Sequence, residues 1–241
     1  MTRALAIAAA VSLGCLVQQP AHAQELKQLQ IARVSSRALF VPDPDKAYLL
    51  VESRNSRSLI TFVKAADGTR DADTSNVDGY VEIPRENRFA NEGDVSVWLY
   101  EVPPGEYFFS SINWQSLPVD TDCACMGSVR FSVDPGKVTA IRAETAILGE
   151  RGEQVGIGNR PNAMPDGRKE NDLYAMRGLV VGHPTSEFWR EKLDEQFVEQ
   201  ARFTPVAELP NWFGHQINRV LPIAGVLDYD SDRMVDLRIP K

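Results

Sequence analysis

Cysteine and histidine are both scarce in this chain of 241 residues, with three of each. Cys15 lies in an N-terminal apolar run, so Cys123 and Cys125 are left for the fold and a disulfide-built scaffold is excluded. Beyond residue 23 the histidines are His183 and His215, few candidates for a general base, and no Gly-x-Ser-x-Gly elbow occurs. No apolar run reaches the roughly 20 residues that a bilayer-spanning helix needs. Basic residues are outnumbered, 26 Lys and Arg against 33 Asp and Glu, for a net charge of −7. Without a basic cluster, nucleic acid and anionic lipid are poor partners, because binding to either rests on Lys and Arg set against phosphates.

What is present begins with an export signal. Arg3 supplies a positive start, Leu5 to Val17 a short apolar run, and Ala21-His22-Ala23 the small residues that a signal peptidase reads. Residues 1–23 are therefore expected to be removed, which leaves an exported, periplasmic protein beginning at Gln24. The alternative is a lipoprotein, because Leu13-Gly14-Cys15 loosely matches the end of a lipidation signal. Ser12 stands where that signal favours leucine.

Strand signals then dominate 24–149. Val129, Phe131 and Val133 alternate with Ser128, Arg130 and Ser132, the period of two that puts one face on a core. Pro104-Gly105 and Pro135-Gly136 have the Pro-Gly order of a type II turn, each launching a strand. Further strands are expected at Ile31–Val41, Ala47–Glu52, Leu59–Val63, Tyr80–Ile83 and Asp94–Val102. In the last of these both faces carry apolar residues, as in a central strand. About eight short strands punctuated by Pro and Gly predict a β-sandwich, immunoglobulin-like or transthyretin-like.

After Gly149 the pattern changes. Residues 150–185, rich in Gly, Asn and Pro, read as a linker, and 186–241 as a helix followed by a proline-rich tail. Trp189, Leu193 and Phe197 recur every four residues, which predicts an amphipathic helix over Ser186–Phe203, capped by Ser186 and stopped by Pro205. A short helix is expected within Asn211–Leu221. The tail's Trp212, Phe213, Ile217, Leu221 and Ile223 are too apolar to leave in water, so it packs on the sandwich or docks on another envelope protein.

Candidate sites are few. Cys123-Ala124-Cys125-Met126 gathers three soft sulfur groups, which suits a soft metal such as Cu(I), a redox pair or a local disulfide. Asp71, Asp73, Ser75 and Glu82 fall at calcium-loop spacing, as do Asp228, Asp230 and Asp232, but Asn76 and Arg233 replace the required glycine. The aromatics Trp98, Tyr107, Phe108 and Trp114, with Trp212 and Phe213 of the tail, are candidates for a binding surface, although aromatics on alternating strands are more often core. No catalytic residue, cofactor or complete metal site is identified.

The run Val102-Pro103-Pro104-Gly105-Glu106-Tyr107, followed by Phe131-Ser132-Val133-Asp134-Pro135-Gly136-Lys137-Val138, resembles small exported bacterial β-sandwich domains of uncharacterised families. The resemblance covers the central half of the chain and implies fold and compartment, with no catalytic residues to carry over. The expectation is a non-catalytic binding or accessory module of the envelope. Its alternatives are a hydrolase with a site between sandwich and tail, and a soft-metal or thiol-redox protein using Cys123 and Cys125.

Overall fold

The structure is a computed structural model and describes residues 26–35, 38–54, 58–66, 76–84, 86–114, 121–148, 154–157, 177–230 and 233–236. Residues 1–23, with Cys15 and the expected cleavage site, lie outside the described residues. In chain order the strands are β1 (Ala32–Arg33), β2 (Ala47–Ser53), β3 (Ser58–Ala65), β4 (Val77–Ile83), β5 (Ala90–Glu92), β6 (Val95–Val102), β7 (Gly105–Trp114), β8 (Thr121–Cys123) and β9 (Ser128–Val133). They continue as β10 (Val138–Leu148), β11 (Gln154–Ile157), β12 (Arg177–Gly182), β13 (Val198–Gln200), β14 (Thr204–Val206), β15 (Gln216–Ile217), β16 (Leu227–Asp230) and β17 (Arg233–Asp236).

The protein is mainly β, built as two sheets and a hairpin. The first sheet runs β1-β6-β2-β10-β11, with β5 on β6 and with β12 and β13 on β10. The second runs β14-β9-β7-β3-β4, extended by β8 and β15, while β16 and β17 pair with each other. Alternation places Leu49, Val51, Trp98, Tyr100 and Ile141 of the first sheet in one core with Ile60, Phe62, Tyr107, Phe109 and Phe131 of the second. Phe62 and Phe131 meet edge to face at 5.6 Å.

The turns follow from residue chemistry. Gly136 has φ 73°, the left-handed value that the second central position of a type II turn demands, and its N–H donates to the Lys46 carbonyl at 2.8 Å. Gly79 is needed for close approach, since a Cβ there would stand 2.2 Å from the Lys27 carbonyl oxygen. That approach lets the segment Lys27–Leu29 bond the backbone of Tyr80 on both sides and cover the β4 edge. On β9, Val129, Phe131 and Val133 face the core as the alternation predicts. Ser128 is buried as well, and its hydroxyl donates to the Phe109 carbonyl.

Beyond Gly149 the sequence expectations are corrected. Within 150–185 the described residues form β11 and β12, both paired antiparallel with β10. The amphipathic helix over Ser186–Phe203 does not form. Two short 3-10 turns, Phe188–Lys192 and Glu195–Phe197, lead into β13, which lies parallel to Val138–Ala140. The spacing of Trp189 and Leu193 does bury both against Leu50, Val97 and Ala140, but the open edge of β10 offers the chain a ladder that a surface helix would forgo. Asn211–Leu221 likewise holds a turn and β15 in place of a helix. Among the described residues no helix is long and apolar enough to cross a membrane.

The C-terminal segment wraps the two sheets. Residues up to Phe197 cover the outer face of the first sheet, Ala201 to Phe203 cross its edge, and Val206, Leu209 and Trp212 cover Val63 and Phe108 on the outer face of the second. Phe203 reaches the shared core and meets Phe131 edge to face at 6.2 Å. We therefore expect Phe203→Ala to lower the unfolding free energy by about 3–5 kcal/mol in urea titrations, the usual cost of emptying a core aromatic site. Ile217→Thr, at an exposed position, should change it by about 0.5 kcal/mol or less. Equal losses for the two variants would show that the crossing segment is no part of the core.

Candidate functional site

The cysteine loop lies between β8 and β9. Ala124 N–H donates to the Ser110 carbonyl at 2.7 Å, Gly127 N–H turns back to the Ala124 carbonyl, and Cys123 and Cys125 form a disulfide with their Cα atoms 5.2 Å apart. In that form neither sulfur is a thiolate. The Cu(I) ligand set of Cys123, Cys125 and Met126 is therefore replaced by a bond, and the local-disulfide reading is the one observed. So short a loop constrains the unfolded chain little, and the chain-entropy relation gives about 1.6 kcal/mol for it. The weight of the bond lies instead in shaping the loop for the tail. Leu209 N–H donates to Cys125 O at 3.1 Å, Asn218 N–H to Cys123 O at 2.8 Å, Met126 N–H to Asn218 O at 2.9 Å and Val220 N–H to Gly127 O at 2.9 Å. Met126 and Ile217 remain 43% and 56% exposed beside this junction.

Most of the aromatic candidates are buried. Trp98 and Tyr107 are fully buried because each stands on the inward phase of its strand, and the Tyr107 hydroxyl donates to the Pro103 carbonyl at 2.6 Å. Burial raises the Tyr107 pKa well beyond the ordinary tyrosine value, with the charge of Asp78 adding to the rise. Phe108 is also buried, facing Val206 and Trp212. Trp212 is buried, Phe213 is half-buried against Tyr80, and the side chain of Trp114 lies outside the described residues. The residues at calcium-loop spacing lie largely outside the described residues. Asp71, Asp73 and Ser75 lie outside the described residues, Glu82 is within β4, and Asp228 and Asp230 belong to the β16–β17 hairpin. Among the described residues no three His, Cys, Asp or Glu side chains converge as metal ligands.

The histidines have structural partners. The His183 ring shares a hydrogen bond with the Ala201 carbonyl at 2.9 Å and stacks on Phe203. His215 stacks on Phe213, and burial holds its pKa down to about 4, so it is neutral at neutral pH. Among the described residues neither imidazole hydrogen-bonds a serine or a carboxylate. A polar groove of about 490 Å³ lies where the C-terminal segment crosses the sheet edge, lined by Ser132, Asp134, Thr139, Glu199, Gln200 and Arg202. Lys137 pairs with Glu199 at its rim, at 3.0 Å.

The least expected feature is a buried charged cluster on the outer face of the first sheet. Glu52 of β2 and Glu144 of β10 are 2% and 1% exposed. Glu52 accepts bonds from the backbone N–H groups of Thr185 and Ser186, at 2.8 and 3.0 Å, and from both hydroxyls, so four donors replace its hydration. Glu144 is differently placed. Arg142 Nε stands 3.6 Å from its Oε1, and among the described residues no hydrogen bond of normal geometry reaches either oxygen. Burial pushes the Glu144 carboxyl above the ordinary carboxylate range and the charge of Glu52 adds to the push, while Arg142, Arg54 and the Arg54 backbone N–H pull it back. The signal for this cluster was present in the sequence as a single charge ending the apolar run Ala47–Val51, and as Arg142 and Glu144 sharing one face of β10.

Fold and site together define a mainly β, sandwich-like protein with a disulfide-bonded loop that anchors its C-terminal segment. Compared with models of protein families, with curated proteins and with solved structures, the chain matches none.

The pKa of Glu144 fixes a sign. A carboxyl raised in the folded state retains a proton that the unfolded chain gives up. Its contribution is present below the ordinary carboxyl pKa and is lost as pH rises through the folded value. Glu144→Gln is neutral at every pH, so its melting temperature relative to wild type should be more favourable at pH 8 than at pH 4. The opposite trend in thermal melts at the two pH values would mean that the Arg142 charge outweighs burial.

Proposed function

We propose that this is an exported, non-catalytic binding or accessory module of the bacterial envelope, working from the periplasm. The observation that carries the reading is the Cys123–Cys125 disulfide, a bond that persists in oxidising compartments and is rare in the cytosol. The signal-like residues 1–23 support the same compartment. The partner is another envelope protein. Most of the tail is occupied in the fold, with Leu209, Trp212 and Val220 buried, so docking falls to Met126 and Ile217, both exposed on the two backbone segments that meet at the loop.

The transthyretin-like type is the better supported of the two sandwich types. Taking β2, β3, β4, β6, β7, β9 and β10 as the first to seventh main strands, the first lies between the fourth and the seventh and is parallel to the seventh. The other sheet takes the third, second, fifth and sixth. An immunoglobulin constant-type sandwich instead groups the first, second, fifth and fourth. The shared fold lends no activity.

Two measurements test the reading. The exported protein should have the intact mass of residues 24–241 less two hydrogens; a chain that begins at a lipidated Cys15 would move the protein to a membrane surface, and one that retains Met1 would overturn export. A photo-crosslinking side chain at Ile217 should give one discrete heavier product in living cells, whereas the same probe at the exposed Glu92 gives none. Equal products at both positions, or none at Ile217, would remove the docking surface.

A further inference from the structure

The disulfide loop and the tail meet through backbone groups. Cys123 and Cys125 each present a carbonyl to the tail, to Asn218 and Leu209, while Met126 and Gly127 complete the junction with Asn218 and Val220. All four bonds depend on the direction in which the loop carbonyls and the Met126 N–H point. That direction is set by a contracted backbone. In extended chain, residues two apart are about 6.6 Å apart, at about 3.3 Å per residue. The disulfide holds Cys123 and Cys125 at 5.2 Å. Strand structure lies on both sides, with β8 ending at Cys123 and β9 starting at Ser128, so a loop freed of the bond is drawn toward the extended spacing.

We propose that the Cys123–Cys125 disulfide is a redox latch, opened by a protein dithiol, whose reduction frees the tail from Leu209 to Asn218 while the two-sheet core, Val220 included, stays folded. Both cysteines are buried, Cys125 at 7% and Cys123 at 3%, so attack falls on Cys125, next to the exposed Met126, when the loop opens locally. One thiolate of the partner bonds to the Cys125 sulfur and Cys123 leaves as a thiolate that takes up a proton. The partner's second thiolate then attacks the mixed disulfide, releasing Cys125 and leaving the partner oxidised. Two electrons pass to this chain. The core survives because the bond spans a single intervening residue and ties no two distant parts of the chain together. What the released tail uncovers is the outer face of the second sheet, where Val63 and Phe108 now lie under Leu209 and Trp212. The latch does not rest on export or on docking at Ile217, and its test reads the tail alone.

Hydrogen exchange of the full chain, before and after treatment with dithiothreitol in native buffer, measures it. With both thiols confirmed by alkylation, the amides of Leu209, Met126 and Asn218 should exchange about tenfold faster or more, and those of Val51 and Phe62 should be unchanged. The Cys123→Ser, Cys125→Ser double variant should show the fast tail without dithiol, and if it does not fold, the reduced wild-type protein decides alone. Unchanged tail amides in the reduced protein would overturn the proposal. So would equal acceleration of tail and core, or a bond that yields to dithiol only in denaturant.

Discussion

Everything in the first sheet depends on the ladder along β10. This strand of 11 residues is bonded on both edges over most of its length. β2 takes residues 138–142 on one side and β11 the last three, while β13 and β12 divide the other side between them. A strand so flanked has few backbone groups left to satisfy, and the four segments that flank it come from separate parts of the chain. The order of the sheet, the burial of Glu144 and the course of the C-terminal segment all follow from which segment occupies which stretch of β10.

Covering both faces of both sheets is the second constraint. A sheet of this kind usually leaves one face to water, but here Trp189 and Leu193 close one outer face and Leu209 and Trp212 the other. The polar residues that a wet face would have carried are therefore trapped. Glu52 and Arg142 are cross-strand neighbours on β2 and β10, and Gly182, opposite Arg142 on β12, leaves room for the guanidinium, which would stand 3.3 Å from a Cβ there. The protein meets the cost by different means at the two carboxylates. Glu52 has a loop folded over it, whereas Glu144 has a cation at a distance.

The central strands were legible in the sequence because alternation and Pro-Gly turns are local signals. Val129, Phe131 and Val133 announce their face without reference to any other segment, and Gly136 its turn. The C-terminal third was not legible for the complementary reason. Trp189 and Leu193, four apart, satisfy a helix and a pair of turned anchors equally well, and what decides between them is the vacant edge at Val138–Ala140, some sixty residues earlier. The aromatic residues were ambiguous in the same way. Alternation puts Trp98 and Tyr100 on one face of β6 and Val97 and Leu99 on the other, and with both faces covered no residue type marks the outside. The cysteines show the limit of motif reading, because the spacing allowed a bridge, a ligand pair or free thiols, and backbone curvature made the choice.

The parallel pairing of β2 with β10 also bears on when this protein folds. Tyr48 finds Val138, and Val138 in turn finds Val198, so the central ladder joins an early, a middle and a late part of the chain. Such pairings carry a large loop-closure cost before any contact repays it, and they are slow to form. During synthesis the first sheet has no way to complete itself until the residues beyond Gln200 have left the ribosome. From the making of Leu148 to that of Gln200 the growing chain thus carries β10 with its second edge incomplete.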